Sequence, residues 1–414
     1  MDKNILESDV LIIGGGPAGS IAAASLAQKG YSVNIIEKVA FPRFVIGESL
    51  LPRCSDLLFK NGMLEAVAAQ GYMVKHGAAF ERNGVFEKYD FSENIGQEYG
   101  STYQVKREEF DHILLKEAVR YGAKLYEETE VTSYDVDSVT ATAKDKDGNE
   151  LVFRAKFAID ASGYGRVFPK LLGLDEPSEL RTRDAIFTRL TGDTRPTDGT
   201  DGYIYIYIHG NNDAWIWTIP FSDGVTSVGI VCTDEYFNSY NMDNEQFWNT
   251  IIEATPEASK RFKNSKKIAP VGKIDGYSAN VSAMHGKNFC MVGNATEFLD
   301  PVFSSGVTLA LESGDRAAML IDKQLRGETV DWAEEYVGYM MKGINVFREF
   351  VNAWYDGRLH DIFFHPQKKN LIKRSISSLL GGYVWDDKNL FVRNHDTAIN
   401  ATLSMLPKNN KANK

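Results

Sequence analysis

The chain has 414 residues and a formal net charge of −10 at pH 7, with 25% charged and 43% hydrophobic residues. This length suffices for two or three domains with a sizeable core, and the composition is ordinary for a soluble globular protein. No segment is rich in lysine and arginine, so nucleic-acid binding is not expected. No apolar run approaches the roughly 18 residues that a membrane-spanning helix needs. The first nine residues are polar and acidic, which argues against a signal peptide.

The three cysteines are scattered along the chain and form no metal-ligand pattern: Cys54, Cys232 and Cys290. A bound metal is therefore not expected, and a reducing cytoplasm is the simplest location for the protein.

The stretch from Asp9 to Lys38 reads as strand, glycine-rich turn, helix and strand. Its glycines have the G-x-G-x-x-G spacing: Gly14, Gly16 and Gly19. Such glycines allow a tight turn, close approach of the backbone to a pyrophosphate, and close packing of helix on strand. The helix after them, which opens with Pro17 and Ala18, offers N–H groups and partial positive charge to phosphates. Glu37 ends the second strand, where it could accept hydrogen bonds from a ribose. The pattern predicts a dinucleotide site, the alternative being a glycine-rich turn without a ligand.

A loop bracketed by Pro42 and Gly47 follows. It could simply connect two elements. The functional interpretation places Arg43 near a phosphate and the backbone of Gly47, Glu48 and Ser49 near the cofactor. A predicted strand, Met73 to Phe80, then leads into a second sheet with Lys75 at its beginning. Taken alone, Lys75 reads as an ordinary solvated lysine.

Tyr103 to Arg107 is predicted to resume the first sheet, and a helix is predicted from Glu108 to Tyr121. A later strand ends at Asp160 in a turn of small residues, Ala161, Ser162 and Gly163. A ligand that crosses the carboxyl ends of a parallel sheet would meet this aspartate in the same crevice as the glycine turn. The alternative is a plain exit from strand to loop.

Residues 179–270 have a different character. Tyr203 to Ile208 and Trp215 to Pro220 alternate in the period of a strand, so that the rings of Trp215 and Trp217 project to one side. The pattern predicts an antiparallel sheet. Its aromatic face could wall a pocket for a flat substrate or could equally be an aromatic core.

The chain then returns to the first sheet. A strand, Phe289 to Val292, precedes Gly293 and Asn294, and a second turn runs from Phe298 to Gly306 before a helix predicted to begin near Val307. A turn that ends in Ser304-Ser305-Gly306 before a helix points N–H groups at one spot, which suits an anion or a carbonyl oxygen. Two helices are predicted beyond it, Asp331 to about Phe364 and Gln367 to Leu380.

In this order the motifs resemble the flavoprotein monooxygenase and halogenase superfamily. Gly14 to Gly19 with Glu37 looks like its FAD pyrophosphate and ribose site, and Arg107 in Tyr-x-Val-x-Arg-x-x-Phe-Asp looks like its cofactor-contacting arginine. Asp160 to Gly163 and Gly293 to Gly306 look like its second and third cofactor motifs. The resemblance adds further cofactor contacts: Lys38, Arg43, Gly47, Glu48, Ser49, Asn294, Pro301, Ser304 and Val307.

The resemblance implies an α/β fold with three parts. A Rossmann-like FAD-binding domain is expected from residues 1–75, 103–178 and 275–330. A mostly antiparallel substrate domain is expected from residues 76–102 and 179–274, and a helical segment from residues 331–414.

Within the superfamily, the sequence is similar to flavin-dependent halogenases. Trp215 to Pro220 fits their W-x-W-x-I-P signature, and Phe298, Pro301, Ser304 and Gly306 fit F-x-x-P-x-x-S-x-G. Lys75 lies in a Lys-x-Gly-x-x-Phe setting like that of their active-site lysine. The resemblance implies that FADH2, O2 and chloride or bromide generate hypohalous acid, with the halide near Ser305 and Gly306. The acid would travel to Lys75, which hydrogen-bonds it or becomes a chloramine, while Trp215 and Trp217 keep the aromatic substrate away from the flavin.

One departure bears on the substrate. Halogenases that act on free tryptophan carry a glutamate where this chain has Phe303, in the expected substrate pocket. A phenol or pyrrole, whose heteroatom stabilises the cationic intermediate, is therefore favoured, either free or bound to a carrier. No second nucleotide motif is present, so a separate NAD(P)H-dependent flavin reductase is the expected partner. The alternatives are a flavoprotein hydroxylase, a double-bond reductase of the geranylgeranyl-reductase type, and a flavin-binding protein without catalysis.

Overall fold

The computed structural model describes residues 5–96, 99–178, 180–276 and 278–407. The expected helical segment therefore lies partly, at residues 408–414, outside the described residues. Within the described ranges, no helix is long and apolar enough to cross a membrane.

A six-stranded sheet carries the glycine turn. In spatial order its strands are His285–Gly286, Phe289–Met291, Phe157–Asp160, Val10–Ile13, Val33–Ile36 and Lys124–Tyr126. All neighbours are parallel except the first pair. The central strands are apolar and buried on both faces, as parallel strands covered by helices must be. Because parallel strands end at the same edge, the turns after Ile13, Ile36, Asp160 and Met291 meet there.

An eight-stranded sheet holds the aromatic strands. Its order is Lys266–Lys267, Arg183–Thr191, Val225–Thr233, Ala214–Pro220, Ile204–His209, Gly77–Arg82 and Val85–Asp90, with Gly272–Ile274 also paired to Arg183–Thr191. The sheet is antiparallel except where Ile204–His209 runs parallel to Gly77–Arg82. A four-stranded sheet consists of Ile5–Glu7, Glu150–Arg154, Thr140–Lys144 and Glu130–Asp135. Asp175–Glu176 pairs with Asn280–Val281.

The strand near Tyr103 does not resume the first sheet, contrary to the sequence-based prediction. Thr102–Gln104 pairs antiparallel with Met73–Lys75. On its other side, Leu50 N–H donates to the Tyr103 carbonyl and Val105 N–H donates to the Glu48 carbonyl. Both edges of this short strand are thus already paired, which leaves none for the six-stranded sheet.

The helices cover both large sheets. They are Pro17–Gln28, Pro52–Lys60, Leu64–Ala68, Arg107–Arg120, Val167–Leu172, Asp234–Ser239, Asn244–Ala254, Pro256–Phe262, Ser305–Leu325, Tyr339–Tyr355, Arg358–Phe363, Asn370–Leu380, Leu390–Arg393 and His395–Met405. Short 3₁₀ turns span Phe91–Glu93, Gly163–Gly165, Gly293–Ala295 and Pro301–Phe303, and a π-helical turn spans Ala333–Gly338.

Two predicted helices are interrupted. The sequence also predicts one helical stretch from about Asn244 to Asn264. Thr255 is extended before Pro256 and divides this stretch, because a residue before proline disfavours the helical conformation. The helix predicted from Asp331 to Phe364 breaks at Gly357, whose φ of +87° is left-handed.

The helices Pro17–Gln28 and Ser305–Leu325 pack very closely. A Cβ atom on Gly314 would lie 2.4 Å from the Ala18 carbonyl oxygen and 2.8 Å from Ile21 Cγ2. Only glycine permits this approach, and the contact packs the middle of Ser305–Leu325 against the first turn of Pro17–Gln28.

Gly314→Ala should therefore lower the free energy of unfolding in urea by about 1–3 kcal/mol, because the clash with helix backbone outweighs the better helix propensity of alanine. Gly338→Ala is the matched control, since the nearest atom to its Cβ is the end of the flexible Glu334 side chain at 3.3 Å. Equal stability of the two variants would contradict the close approach.

Candidate active site

A cavity of about 890 Å³ lies at the carboxyl edge of the six-stranded sheet, near the upper end of the roughly 300–1,000 Å³ typical of ligand sites. Most of the predicted site residues line it: Gly14, Gly16, Pro17, Ala18, Glu37, Lys38, Arg43, Gly47, Glu48, Ser49, Arg107, Ala161, Ser162, Gly163, Trp215, Trp217, Gly293, Asn294, Pro301, Ser304, Gly306 and Val307. Five predicted residues are not among those that line it: Gly19, Lys75, Asp160, Phe303 and Ser305.

The glycine turn is shaped to accept a ligand. A Cβ atom on Gly14 would lie 2.4 Å from the Ala161 carbonyl oxygen, and one on Gly19 would lie 2.0 Å from the Gly14 carbonyl oxygen. These two glycines serve packing. A Cβ atom on Gly16 would meet only Arg43 Nη2, at 3.2 Å, so Gly16 faces open space. Among the described residues, no side chain caps the helix that starts at Pro17. The residues present therefore fit a pyrophosphate, which would occupy the space at Gly16 beside an uncapped helix N-terminus.

Glu37 is held in place at the cavity wall. Its Oε2 accepts a hydrogen bond from Gly15 N–H at 2.8 Å, and its Oε1 accepts from Val39 N–H at 3.1 Å. A carboxylate has further lone pairs, so a ribose hydroxyl can still donate to it. Lys38 pairs with Glu130 at 2.7 Å on the exposed rim.

Arg107 organises the loop that contains Gly47. Its guanidinium donates to both carboxylate oxygens of Asp111, at 2.7 and 2.9 Å, and to the carbonyl oxygens of Ile46 and Gly47 at 3.3 Å. Arg43 Nη1 lies 3.7 Å from the same carboxylate. Both arginines also line the cavity, so one buried carboxylate places two cations beside the ligand space.

Asp160 supports a turn without lining the cavity. Its carboxylate accepts from Ser162 N–H at 2.9 Å and from Phe168 N–H at 2.6 Å. Burial raises the pKa of Asp160. The turn that it supports, Ala161 to Gly163, does line the cavity.

The third motif brings a second helix N-terminus to the cavity. Ser304 has a φ of +56° and precedes Ser305–Leu325, whose first turn no side chain caps. Gly306 lines the cavity, whereas Ser305 is buried away from it. The family resemblance implies a halide near both residues. Of these two, Gly306 lines the cavity and Ser305 does not.

The two tryptophans lie side by side on the cavity wall, with ring centroids 6.2 Å apart. Trp217 Nε1 donates to Ser227 Oγ at 3.2 Å, and Trp215 Nε1 donates to the Tyr355 hydroxyl at 2.9 Å. Because both indole N–H groups have partners, the rings present their apolar faces to the cavity.

Residues from a C-terminal helix contact this region. The sequence predicts that the helices after Asp331 cap the active site or the sheet, but it does not predict the individual contacts. The Tyr355 hydroxyl donates to Asp300 Oδ2 at 3.0 Å, and the Arg183 guanidinium stacks 3.3 Å above the tyrosine ring. Phe303 packs between the rings of Phe350 and Trp354, at 6.0 and 5.9 Å. No local pattern links Tyr355 to Trp215, because the contact depends on how a distant helix docks.

Lys75 is a buried amine close to the cavity. Its side chain lies in the interior with the residue 1% exposed. Its Nζ donates to the Leu50 carbonyl at 2.8 Å and lies 5.3 Å from the centre of the Phe91 ring. Burial lowers the pKa of Lys75 to about 7. The amine is therefore partly uncharged at neutral pH, and Leu50 follows Ser49, which lines the cavity.

Comparisons with known proteins agree with this geometry. A family model described as an FAD binding domain matches residues 7–335. The chain is 30% identical to a 1H-pyrrole-2-carbonyl-[peptidyl-carrier protein] chlorinase of Pseudomonas fluorescens, covering 93% of this chain and 91% of that protein.

The chain belongs to the flavin-dependent halogenase family.

A second relative is a 1H-pyrrole-2-carbonyl-[peptidyl-carrier protein] brominase of Pseudoalteromonas luteoviolacea, at 31% identity over 91% of this chain and 92% of that one. A flavoprotein/dehydrogenase from Cytophaga hutchinsonii superimposes with a TM-score of 0.92 at 42% identity, covering 96% of this chain and 99% of its own. The predicted family, fold class and FAD cofactor are thus confirmed, and this halogenase-family protein is an FAD-dependent oxidoreductase.

The low pKa of Lys75 predicts a pH-dependent stability. Between about pH 7 and pH 10 the unfolded chain binds a proton at Lys75 that the folded chain does not, so stability rises with pH in this window. Lys75→Met should therefore be more stable than the wild type by roughly 4 kcal/mol at pH 7, and the difference should shrink as the pH approaches 10. Urea unfolding at a series of pH values measures this. A difference that does not change with pH would show that Lys75 is solvated.

Proposed function

We propose that this protein halogenates an electron-rich aromatic ring of the pyrrole or phenol type, with chloride or bromide, O2 and FADH2 as co-substrates. The observation that carries the proposal is Lys75, a buried amine with a lowered pKa that lies next to the FAD cavity without lining it. A buried amine with a perturbed pKa beside a cofactor cavity is a candidate reactive group.

The chain's residues fit FAD. Gly16 and the uncapped helix at Pro17 would hold the pyrophosphate of FAD, and Glu37 would bind its ribose. The turns at Ser162 and Asn294 would contact the other parts of the cofactor. Reduced FAD, when bound, would supply with O2 the two-electron oxidation that converts a halide into hypohalous acid. The N–H groups at Gly306, at the start of a helix, would attract the halide by their partial positive charge.

Lys75 can activate the hypohalous acid in two ways. As an ammonium it donates a hydrogen bond that polarises the O–X bond of the hypohalous acid. As a neutral amine it attacks the halogen, so that an N–X bond forms, the O–X bond breaks, and the amine proton and the departing hydroxide leave as water. A pKa near 7 populates both forms at neutral pH.

The tryptophan pair keeps the two steps apart. Trp215 and Trp217 form an apolar wall on the FAD cavity, and their N–H groups are tied to Tyr355 and Ser227. A wall fixed at both rings would hold an aromatic substrate on the far side from the flavin, where oxygen transfer cannot compete.

The substrate is proposed to be a pyrrole-type acid bound to a carrier protein. Phe303 stands where a tryptophan halogenase would place a carboxylate, so the substrate must stabilise its own cationic intermediate. The two pyrrolyl-carrier halogenases described above match this chain almost from end to end. A separate NAD(P)H-dependent flavin reductase in the cytoplasm would supply FADH2.

Lys75→Met should lower halogenated product by at least about 100-fold, because the group that delivers the halogen is removed. Reoxidation of FADH2 in air should stay within about twofold of the wild-type rate, because Lys75 does not line the FAD cavity. Product is measured by mass spectrometry, and flavin reoxidation is followed by absorbance.

Lys368→Met is the matched control, since Lys368 is also largely buried and also has a lowered pKa, but pairs with Glu87 at 2.9 Å. It should keep its halogenation activity. Equal activity of Lys75→Met and Lys368→Met would refute the role of Lys75.

The substrate class is tested with pyrrole, phenol and indole acids, each supplied free and on a carrier, with FADH2 and halide. We expect the one-halogen isotope pattern on the carrier-bound pyrrole. Addition of oxygen in place of halogen would identify a hydroxylase.

A further inference from the structure

Two buried polar side chains, one that lines the FAD cavity and one on the strand paired with Lys75, have atoms without a hydrogen-bond partner among the described residues. Ser49 is 5% exposed, and its Oγ has no hydrogen-bond partner in the part of the chain that the structure describes; Gln104 is fully buried, and its Oε1 has none there either. A buried polar atom without a partner is costly and is normally satisfied by a small bound molecule. The FAD-binding and tryptophan motifs do not account for Gln104, and it does not line the cavity.

The backbone register places these groups on one face. Ser49 and Gln104 are directly opposite each other in an antiparallel bridge. The flanking hydrogen bonds, Leu50 N–H to Tyr103 and Val105 N–H to Glu48, make them a non-hydrogen-bonded pair, whose side chains are closest.

The same face carries Lys75. Lys75 is opposite Thr102, which lies two residues before Gln104 on the same strand. Lys75 and Gln104 are therefore diagonal neighbours, whose Cα atoms are about 7 Å apart in such a sheet. Ser49 lines the FAD cavity, and the Lys75 ammonium donates to the next residue, Leu50. Ser49 thus lines the cavity, Gln104 is its cross-strand neighbour, and Lys75 is the diagonal neighbour of Gln104 on the same face.

The orientation of the Gln104 amide is fixed. Its Nε2 donates to the Gly202 carbonyl at 3.2 Å, so its Oε1 is an acceptor directed elsewhere. An acceptor oxygen repels a halide ion but accepts a hydrogen bond from a neutral O–H group. The hydroxyl of Ser49 can donate to the oxygen of the same molecule.

We propose that Ser49 and Gln104 form a relay site that binds hypohalous acid as it passes from the FAD cavity to Lys75. Gln104 Oε1 accepts the O–H of the acid and Ser49 Oγ–H donates to its oxygen, which leaves the halogen free to meet the amine. A halide ion, which has no donor, is disfavoured here and stays at the cavity. Gln104 is thus a positioning residue for the reaction. The proposal rests on the proposed halogenase function.

The turnover test compares Gln104→Met, which removes the acceptor and keeps the length, with the wild-type holoenzyme. FADH2, O2, bromide and aromatic substrate are supplied, and a β-diketone in solution traps escaping hypobromous acid. We expect the amount of halogenated product per FADH2 oxidised to fall about tenfold, because the variant loses one hydrogen bond to the acid. The amount of trapped hypobromous acid should rise correspondingly. Flavin reoxidation should not change.

Two further variants separate positioning from a structural effect. Gln104→Glu should restore most of the product, because burial keeps its carboxyl protonated, so that it can still donate to Gly202 and accept from the acid. Ser265→Ala removes another buried hydroxyl without a partner, in a turn away from the cavity, and should behave as the wild type.

The outcomes are distinct. If the wild type yields neither halogenated product nor trapped acid, the proposed function fails, and with it the ligand assigned to this site. If the wild type halogenates and Gln104→Met keeps the same ratio of product to trapped acid, the relay alone is overturned. A crystal structure of the holoenzyme gives an independent check. One ordered water within about 3 Å of both Ser49 Oγ and Gln104 Oε1 is expected, and a direct hydrogen bond between the two side chains would overturn the relay.

Discussion

The close packing of two helices on each other underlies the whole site. Gly314 on one helix lies against the Ala18 carbonyl on the other, and both helices bring the residues of their first turns, Pro17 and Gly306, to the same cavity. Both N-termini lack a side-chain cap, and their N–H groups therefore remain for ligands. The helix N-terminus at Pro17 suits a pyrophosphate, and the one at Gly306 suits a halide. The parallel strands between them supply the turns that complete the cavity.

A second constraint is the burial of Lys75. The protein keeps an amine in an apolar interior with one carbonyl acceptor, at a cost in folding free energy near neutral pH. Its neighbours Ser49 and Gln104 also retain unpartnered polar atoms. Native proteins usually satisfy such groups. A cluster of such groups beside a cofactor cavity is typical of an active site, where side chains needed for the reaction are retained at a cost in folding stability.

The sequence predicted those parts of the site that local pattern determines. The glycine turn, Glu37, the tryptophan pair and the turn before Ser305 are each set by a few neighbouring residues with definite spacing. Pairings between distant segments could not be predicted in this way. Thr102–Gln104 is too short to reveal its partner strand, and the support that the Asp160 carboxylate gives to two backbone N–H groups has no signal in the local sequence. The docking of Tyr355 on Trp215 likewise depends on tertiary packing that no spacing records.

The Tyr355 contact has a consequence for how such enzymes diversify. The back of the tryptophan wall is held by a hydroxyl from the helix Tyr339–Tyr355, and Phe303 is packed by two rings of that same helix. The surface that confronts the aromatic guest is thereby built partly from a helix that also contacts the turn before Ser305, through the hydrogen bond from Tyr355 to Asp300. Exchange of this helix between homologous enzymes would therefore change guest selection and, at the same time, the support of the turn at Asp300 beside the flavin cavity.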